Sequence, residues 1–189
     1  MVLLLYSVYT LTHYTSKFMK KIILLLSALG IIISTGNAQT NDRKLPSVEV
    51  KNLEGKNVNT STIANDGKPI FISFWATWCS PCKAELNAIA EDYDEWKKET
   101  GVKVVAVSID DSRNISKVAP YVSGKNWEYE VLLDPNGDFK RAMNVNNVPH
   151  SFILNGKGEI VWQQNSSAPG DEDKIFELLK KVAKGEEIK

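Results

Sequence analysis

Cysteine and histidine are both scarce in this chain. It has two of each in 189 residues, and both cysteines fall in one run, Cys79-Ser80-Pro81-Cys82. A zinc site would need two further Cys or His ligands nearby, and only His13 and His150 exist. A C-x-x-C closes little chain and constrains the unfolded state weakly, so a purely structural disulfide is a poor reading. There is no excess of positive charge either: 23 basic residues balance 23 acidic ones. No basic face emerges, which argues against nucleic acid as a partner. The apolar run Ile22–Ile33 has only 12 residues, short of the ~20 that a spanning helix needs.

That run has another use. Met19-Lys20-Lys21 precedes it, and Gly36-Asn37-Ala38 follows with small residues at a cleavage position. This is the layout of a secretory signal. We therefore expect an export segment over 1–38, with Met19 as the true start, a linker over 39–46 and a folded domain over 47–189. The alternative is a retained anchor, although Lys17, Lys20 and Lys21 break the two apolar runs. The chain is expected to be periplasmic or otherwise exported. It would be soluble after cleavage and membrane-anchored if the segment stays. From Gln39 onward it carries 20 basic and 23 acidic residues, a net charge of −3. That length suits one domain with a real core. An exported chain whose only cysteines are adjacent uses them for chemistry rather than as a scaffold.

The dithiol sits between two contrasting patterns. Ile70–Trp75 is a nearly continuous apolar, β-favouring run, as in a strand buried on both faces. After it, Leu86, Ile89, Ala90, Tyr93 and Trp96 recur at helical spacing up to Gly101, which can end the helix. Strand, dithiol, helix is the order a disulfide-exchange site needs. The helix N-terminus favours a thiolate at the first sulfur, and Pro81 suits the first turn.

Elsewhere the pattern predicts a hairpin around Ser47–Val50 and Val58, and a strand over Val102–Ile109. A helix over about Asn114–Val122, capped by Ser112, and a strand over Glu128–Leu133 follow. Next come a short helix over Asp138–Met143 and a strand over Ser151–Leu154. The Asn155–Gly158 turn leads into Glu159–Gln163, and a last helix spans Asp171–Ala183. The sum is an α/β fold, a mixed central sheet flanked by helices.

Phe74-Trp75-Ala76-Thr77-Trp78-Cys79-Ser80-Pro81-Cys82 resembles the active-site run of thioredoxin-fold proteins. Four features narrow the resemblance to the exported TlpA/ResA-like thiol–disulfide oxidoreductases. They are the export signal, the N-terminal hairpin, the Cys82-Lys83-Ala84-Glu85 continuation, and the insert from Asp111 to Asp134 before Val148-Pro149-x-x-Phe152-Ile153. The resemblance covers roughly residues 46–184. It implies a thioredoxin-like fold with a four- or five-stranded core sheet, an N-terminal β-hairpin and an insert before the cis-proline half. There are departures. Ser73 stands where cytoplasmic thioredoxins carry a buried Asp. Asn147 replaces a Gly, and can also adopt positive φ. Asn87 replaces a Pro and His150 a Thr.

These residues receive roles as follows. Cys79, at the helix end, is the nucleophile, and Cys82, one turn on, is the resolving thiol. Glu85 is the candidate base for Cys82, as the resemblance also implies; the alternative is a solvated Glu that only complements the helix dipole. The resemblance makes Pro149 cis, packed against the dithiol. Substrate would dock along Val148 as an added strand, beside Trp78 and Pro81. Trp75 is assigned to the core. His150 is a candidate for tuning the thiol or binding metal, although a lone His more often does neither. The reading needs no cofactor and no resident metal. It implies a monomer, protein disulfide substrates and an exported or membrane thiol reductant. The activity implied is protein-disulfide reduction, with cytochrome c maturation as a setting. Three alternatives are weighed against it: a disulfide-forming oxidant, a copper chaperone and a peroxidase. Copper chaperones of this fold use C-x-x-x-C, one residue longer than the spacing here. A peroxidase wants Thr where Ala76 stands, and Thr77 is one residue off.

Overall fold

A computed structural model describes residues 43–188. The expected export segment, with His13 and Met19, lies outside the described residues. The strands are β1 (Glu49–Asn52), β2 (Asn57–Asn59), β3 (Ile70–Trp75), β4 (Lys103–Ser108), β5 (Glu130–Leu133), β6 (His150–Leu154) and β7 (Ile160–Gln164). The helices are α1 (Ser80–Thr100), α2 (Val118–Gly124), α3 (Asp138–Ala142) and α4 (Asp171–Ala183). Among the described residues no helix is long and apolar enough to cross a membrane.

The strands form a seven-stranded sheet in the order β2-β1-β5-β4-β3-β6-β7. β3 pairs parallel with β4 and antiparallel with β6, and β4 pairs parallel with β5. The N-terminal hairpin joins this sheet through β1 and β5, and β7 closes the other edge. The sheet is thus mixed and carries helices on both faces. Every residue of β3 is buried. Its side chains alternate between two cores, as a strand's period of two requires. Phe71 and Trp75 join Leu86, Ile89 and Trp96 of α1 with Ile175 and Leu179 of α4. Ile70, Ile72 and Phe74 join Phe139, Met143 and Val145 around α3. Trp96 stacks flat on Phe176 at 5.3 Å, which ties α1 to α4.

One local expectation is corrected. Ser112 does not cap the helix of the insert. A short 3₁₀ turn over Ile115–Lys117 comes first, organised by Asp111. The Asp111 carbonyl accepts from the N–H groups of Asn114 and Ile115, and its carboxylate accepts from Arg113 and Asn114. α2 begins only at Val118 and places Pro120 within its first turn, where no N–H is needed. Positive φ is found at Asn144 and not at Asn147, because Asn144 follows the end of α3.

The β6–β7 turn packs against the turn before β3. A Cβ on Gly156 would meet the Gly67 carbonyl. Gly156→Ala should therefore destabilise the fold by about 2 kcal/mol through backbone displacement. This turn is at the Ile70 end of β3, opposite the dithiol. We expect a lower urea midpoint with unchanged disulfide exchange by the folded fraction.

Candidate active site

β3 ends at Trp75, and four residues later Cys79 caps α1. Cys79 and Cys82 form a disulfide with Cα atoms 5.4 Å apart. The backbone N–H of Cys82 donates to Cys79 Sγ at 3.3 Å. The helix end thus aims a free donor at the first sulfur, as thiolate stabilisation requires. Pro81 lies in the first turn and is exposed. Cys79 is 5% exposed and Cys82 fully buried, so Cys79 is the more accessible of the two sulfurs.

The loop between strand and helix is held by a residue that the sequence reading passed over. Asp110, just beyond β4, is fully buried. Its carboxylate accepts from Thr77 N–H at 2.9 Å, Thr77 Oγ1 at 2.6 Å and Ser108 Oγ at 2.8 Å. Thr77 is therefore turned to Asp110. The neighbouring Trp78 is 60% exposed beside Cys79, whereas Trp75 is buried against Tyr121 and Trp127.

Glu85 lies one turn after Cys82 and is only 4% exposed. This places it inside the interface, not in solvent. Ser73 Oγ and Ser151 Oγ donate to its Oε1 at 3.0 and 3.1 Å, and lie 3.2 Å from each other. β3 and β6 pair Ser73 with Ser151 directly, so both hydroxyls rise from the sheet at one point below α1. Burial raises the Glu85 pKa above its ordinary 4.5; hydroxyls of Ser167, Ser73 and Ser151 oppose the shift, and the charge of Asp171 adds to it. Ser73 thus occupies the strand position of the thioredoxin Asp, and the carboxyl itself has moved to the helix. A groove of about 320 Å³ runs past Glu85, between Ala84 and Ala88 of α1 and Ser167, Ala168 and Pro169 of the β7–α4 loop.

The Val148–Pro149 peptide bond is cis. Phe74 pairs with His150, so Pro149 falls at the Trp75 end of β3, the end that bears the dithiol. Pro149 is buried and Val148 partly so. His150 goes the other way. Ser151 faces α1, so His150 faces the opposite core, where its ring stacks on Phe152 at 4.6 Å. Burial lowers its pKa, and the charge of Arg43 acts in the same direction. The structure therefore does not bring His150 to the Glu85 side of the sheet. Among the described residues no three His, Cys, Asp or Glu side chains gather to hold a metal.

Asn87 has a defined task. Its Nδ2 donates to the Tyr121 hydroxyl at 3.2 Å, and its Oδ1 accepts from Trp127 Nε1 at 3.0 Å. Tyr129 Oη donates to the Leu86 carbonyl at 2.7 Å. These bonds tie α1 to the insert.

Residues 42–163 match the AhpC/TSA family. The chain belongs to that family. It is a thiol–disulfide oxidoreductase of thioredoxin-like fold. It is 31% identical over 137 residues to sporulation thiol-disulfide oxidoreductase A of Bacillus subtilis, covering 70% of this chain and 81% of that one. It is 29% identical to the thiol-disulfide oxidoreductase ResA of Bacillus cereus, covering 85% and 92%. Among solved structures, a thioredoxin-like protein from Porphyromonas gingivalis superposes with a TM-score of 0.67 at 51% identity, covering 74% of this chain and 92% of that one. StoA from Bacillus subtilis gives 0.56 at 28%, covering 70% and 97%.

The buried carboxyl of this oxidoreductase has a consequence for stability. Its folded pKa lies above the unfolded value, so the folded state holds the proton longer. Its contribution to stability is then greatest below pH 4.5 and is lost as pH rises through the raised value. Glu85→Gln, which keeps an acceptor for both serines, should stabilise the oxidised protein at neutral pH. The gain should vanish in acid. Thermal unfolding across pH checks both halves.

Proposed function

We propose that this oxidoreductase is an exported reductant of protein disulfides. The observation that carries the direction is how little stabilises a Cys79 thiolate. In the disulfide form its sulfur accepts one backbone N–H, and among the described residues no cationic side chain hydrogen-bonds to it. A dithiol becomes a strong oxidant when its reduced form is stabilised. With one helix-end donor the reduced form is left comparatively reactive, which suits a reductant. Export rests on the basic, apolar and small-residue sequence of 19–38. Cytochrome c maturation is the setting that the resemblance suggests for its substrates.

In the proposed cycle the Cys79 thiolate attacks one sulfur of a substrate disulfide. The substrate S–S bond breaks, a Cys79–substrate bond forms, and the first substrate sulfur leaves and takes a proton from water. Cys82 then gives its thiol proton to Glu85, and its sulfur attacks Cys79 Sγ. The mixed disulfide breaks, and the second substrate sulfur leaves as a thiolate and takes up a proton from water, while Glu85 releases its own to water. Two electrons have passed to the substrate, and the protein holds the Cys79–Cys82 disulfide. A thiol partner reverses this to restore the dithiol. An extended substrate chain would lie along Val148 beside cis-Pro149, with Trp78 and Pro81 as apolar contacts.

The reduction potential tests the direction. Equilibration with defined thiol–disulfide buffers should give a value near that of thioredoxin, about −270 mV; a value near −120 mV would make the protein an oxidant. Trapping tests the roles. Cys82→Ser should accumulate a mixed disulfide with exported proteins, and Cys79→Ser should not; equal trapping by both would reverse the assignment.

A further inference from the structure

The turn that delivers the nucleophile is short and closed on itself. β3 ends at Trp75, and the Cys79 N–H donates to the Ala76 carbonyl at 3.0 Å. Ala76, Thr77, Trp78 and Cys79 thus form one reverse turn. Its two central residues are Thr77 and Trp78. Trp78 lies in solvent and gives the turn no anchor. Thr77 links it to the neighbouring strand.

That link ends on a single carboxylate. Thr77 N–H donates to Asp110 Oδ2 at 2.9 Å and Thr77 Oγ1 donates to Oδ1 at 2.6 Å, so both oxygens grip one residue. Asp110 is fully buried and is itself held. Ser108 Oγ donates to its Oδ2 at 2.8 Å, and its own N–H donates to Ser108 Oγ at 3.1 Å. Ser108 ends β4 and lies opposite Trp75 in the parallel register. Its carbonyl accepts from Asp134 N–H at 2.8 Å, and Ile109 N–H donates to the Trp75 carbonyl at 2.9 Å. The carboxylate therefore stands where the ends of β3 and β4 are bonded together, and it reaches from there to the turn. An apolar side chain could fill the same space without the cost of burying a carboxylate. It could not fix Thr77 by two bonds.

We propose that Asp110 is a positioning residue for the dithiol, acting through Thr77. When the disulfide is open, the two bonds keep the turn, and with it Cys79, where the disulfide places it. Cys82 then meets a sulfur already within reach. Closure of a C-x-x-C ring is intramolecular, and its equilibrium is set by the effective concentration of one sulfur at the other. Holding Cys79 raises that concentration, favours the disulfide and lowers the potential of the pair. The use of a lowered potential rests on the reading of the protein as a reductant; the positioning itself does not.

The test equilibrates the full chain with glutathione buffers of defined ratio. Two protein thiols become one disulfide as one oxidised glutathione becomes two thiols, so the position of balance gives the potential. Wild type, Asp110→Ala, Thr77→Val and Thr77→Ser are compared, with thermal unfolding of each oxidised form recorded alongside. Asp110→Ala loses both bonds and should lower the equilibrium constant for disulfide formation about tenfold, which raises the potential by about 30 mV. Thr77→Val loses one bond with the carboxylate still in place and should lower the constant about threefold. Thr77→Ser keeps both bonds and should match wild type. Where Asp110→Ala does not fold, the two Thr77 variants decide by the same criterion. Potentials that stay at the wild-type value while the unfolding temperature falls make Asp110 merely structural and overturn the proposal. A shift in Asp110→Ala that Thr77→Val does not share is an effect of charge and also overturns it. A wild-type potential in the oxidant range overturns the reductant reading alone, and the differences between variants still decide the role of Asp110.

Discussion

The active end of this fold depends on one buried carboxyl. Glu85 lies in the interface between α1 and the sheet, among Leu86, Ile89 and the aromatic core. A carboxylate left unpaired there would cost several kcal/mol. An arginine could pay that cost, but it would also depress the pKa and leave a permanent anion. Neutral hydroxyls do something different. They satisfy the oxygen, and burial still favours the protonated form. Burial raises the pKa of the group while the hydroxyls oppose the rise, the direction that the proposed proton exchange with a thiol would need. The choice of serine at 73 and 151 is therefore tied to the choice of glutamate at 85. Any one of them makes sense only with the other two.

Around that group the sequence spends polar residues to fix the dithiol loop and the helix. Asp110 ties Thr77 to the end of β4, so the turn before Cys79 is anchored to a neighbouring strand. Asn87, Tyr121, Trp127 and Tyr129 tie the first half of α1 to the insert. The insert is thus a second support for the active helix, made of hydrogen bonds on an aromatic base. Trp78 escapes all of this and stays in solvent next to Cys79 in the chain.

Much of this was legible in the sequence because it is local. The dithiol, the helix after it, Pro81 in its first turn, and the last helix over Asp171–Ala183 all follow from spacing and capping rules. Glu85 was legible as well, because it falls at helical spacing beside the apolar stripe. Its partners were not. Ser151 matters only through a register that sets it opposite Ser73, 78 residues away. A serine inside an apolar strand was the available signal. Asp110 was hidden in the same way, since an acid at a strand end reads as the start of a turn. Ser112 misled because it has cap chemistry, while the neighbouring Asp111 supplies both a carbonyl and a carboxylate. Positive φ falls at Asn144 rather than Asn147 because α3 stops at Ala142 and the chain turns just beyond it.

The two sides of β6 carry the last step of the argument. His150 and Ser151 are adjacent, yet they serve opposite faces. On one face burial lowers the pKa of His150, and on the other burial raises that of Glu85. Each group is pushed toward its uncharged form. A protonated His close to the dithiol would favour the thiolate and make the disulfide oxidising. Placing the only His of the described residues behind the sheet, stacked on Phe152, withdraws that influence. What remains near Cys79 is the helix end and its single N–H contact. On the proposed roles, Glu85 would act on the resolving sulfur, one turn before it on α1, while the helix end faces the attacking one.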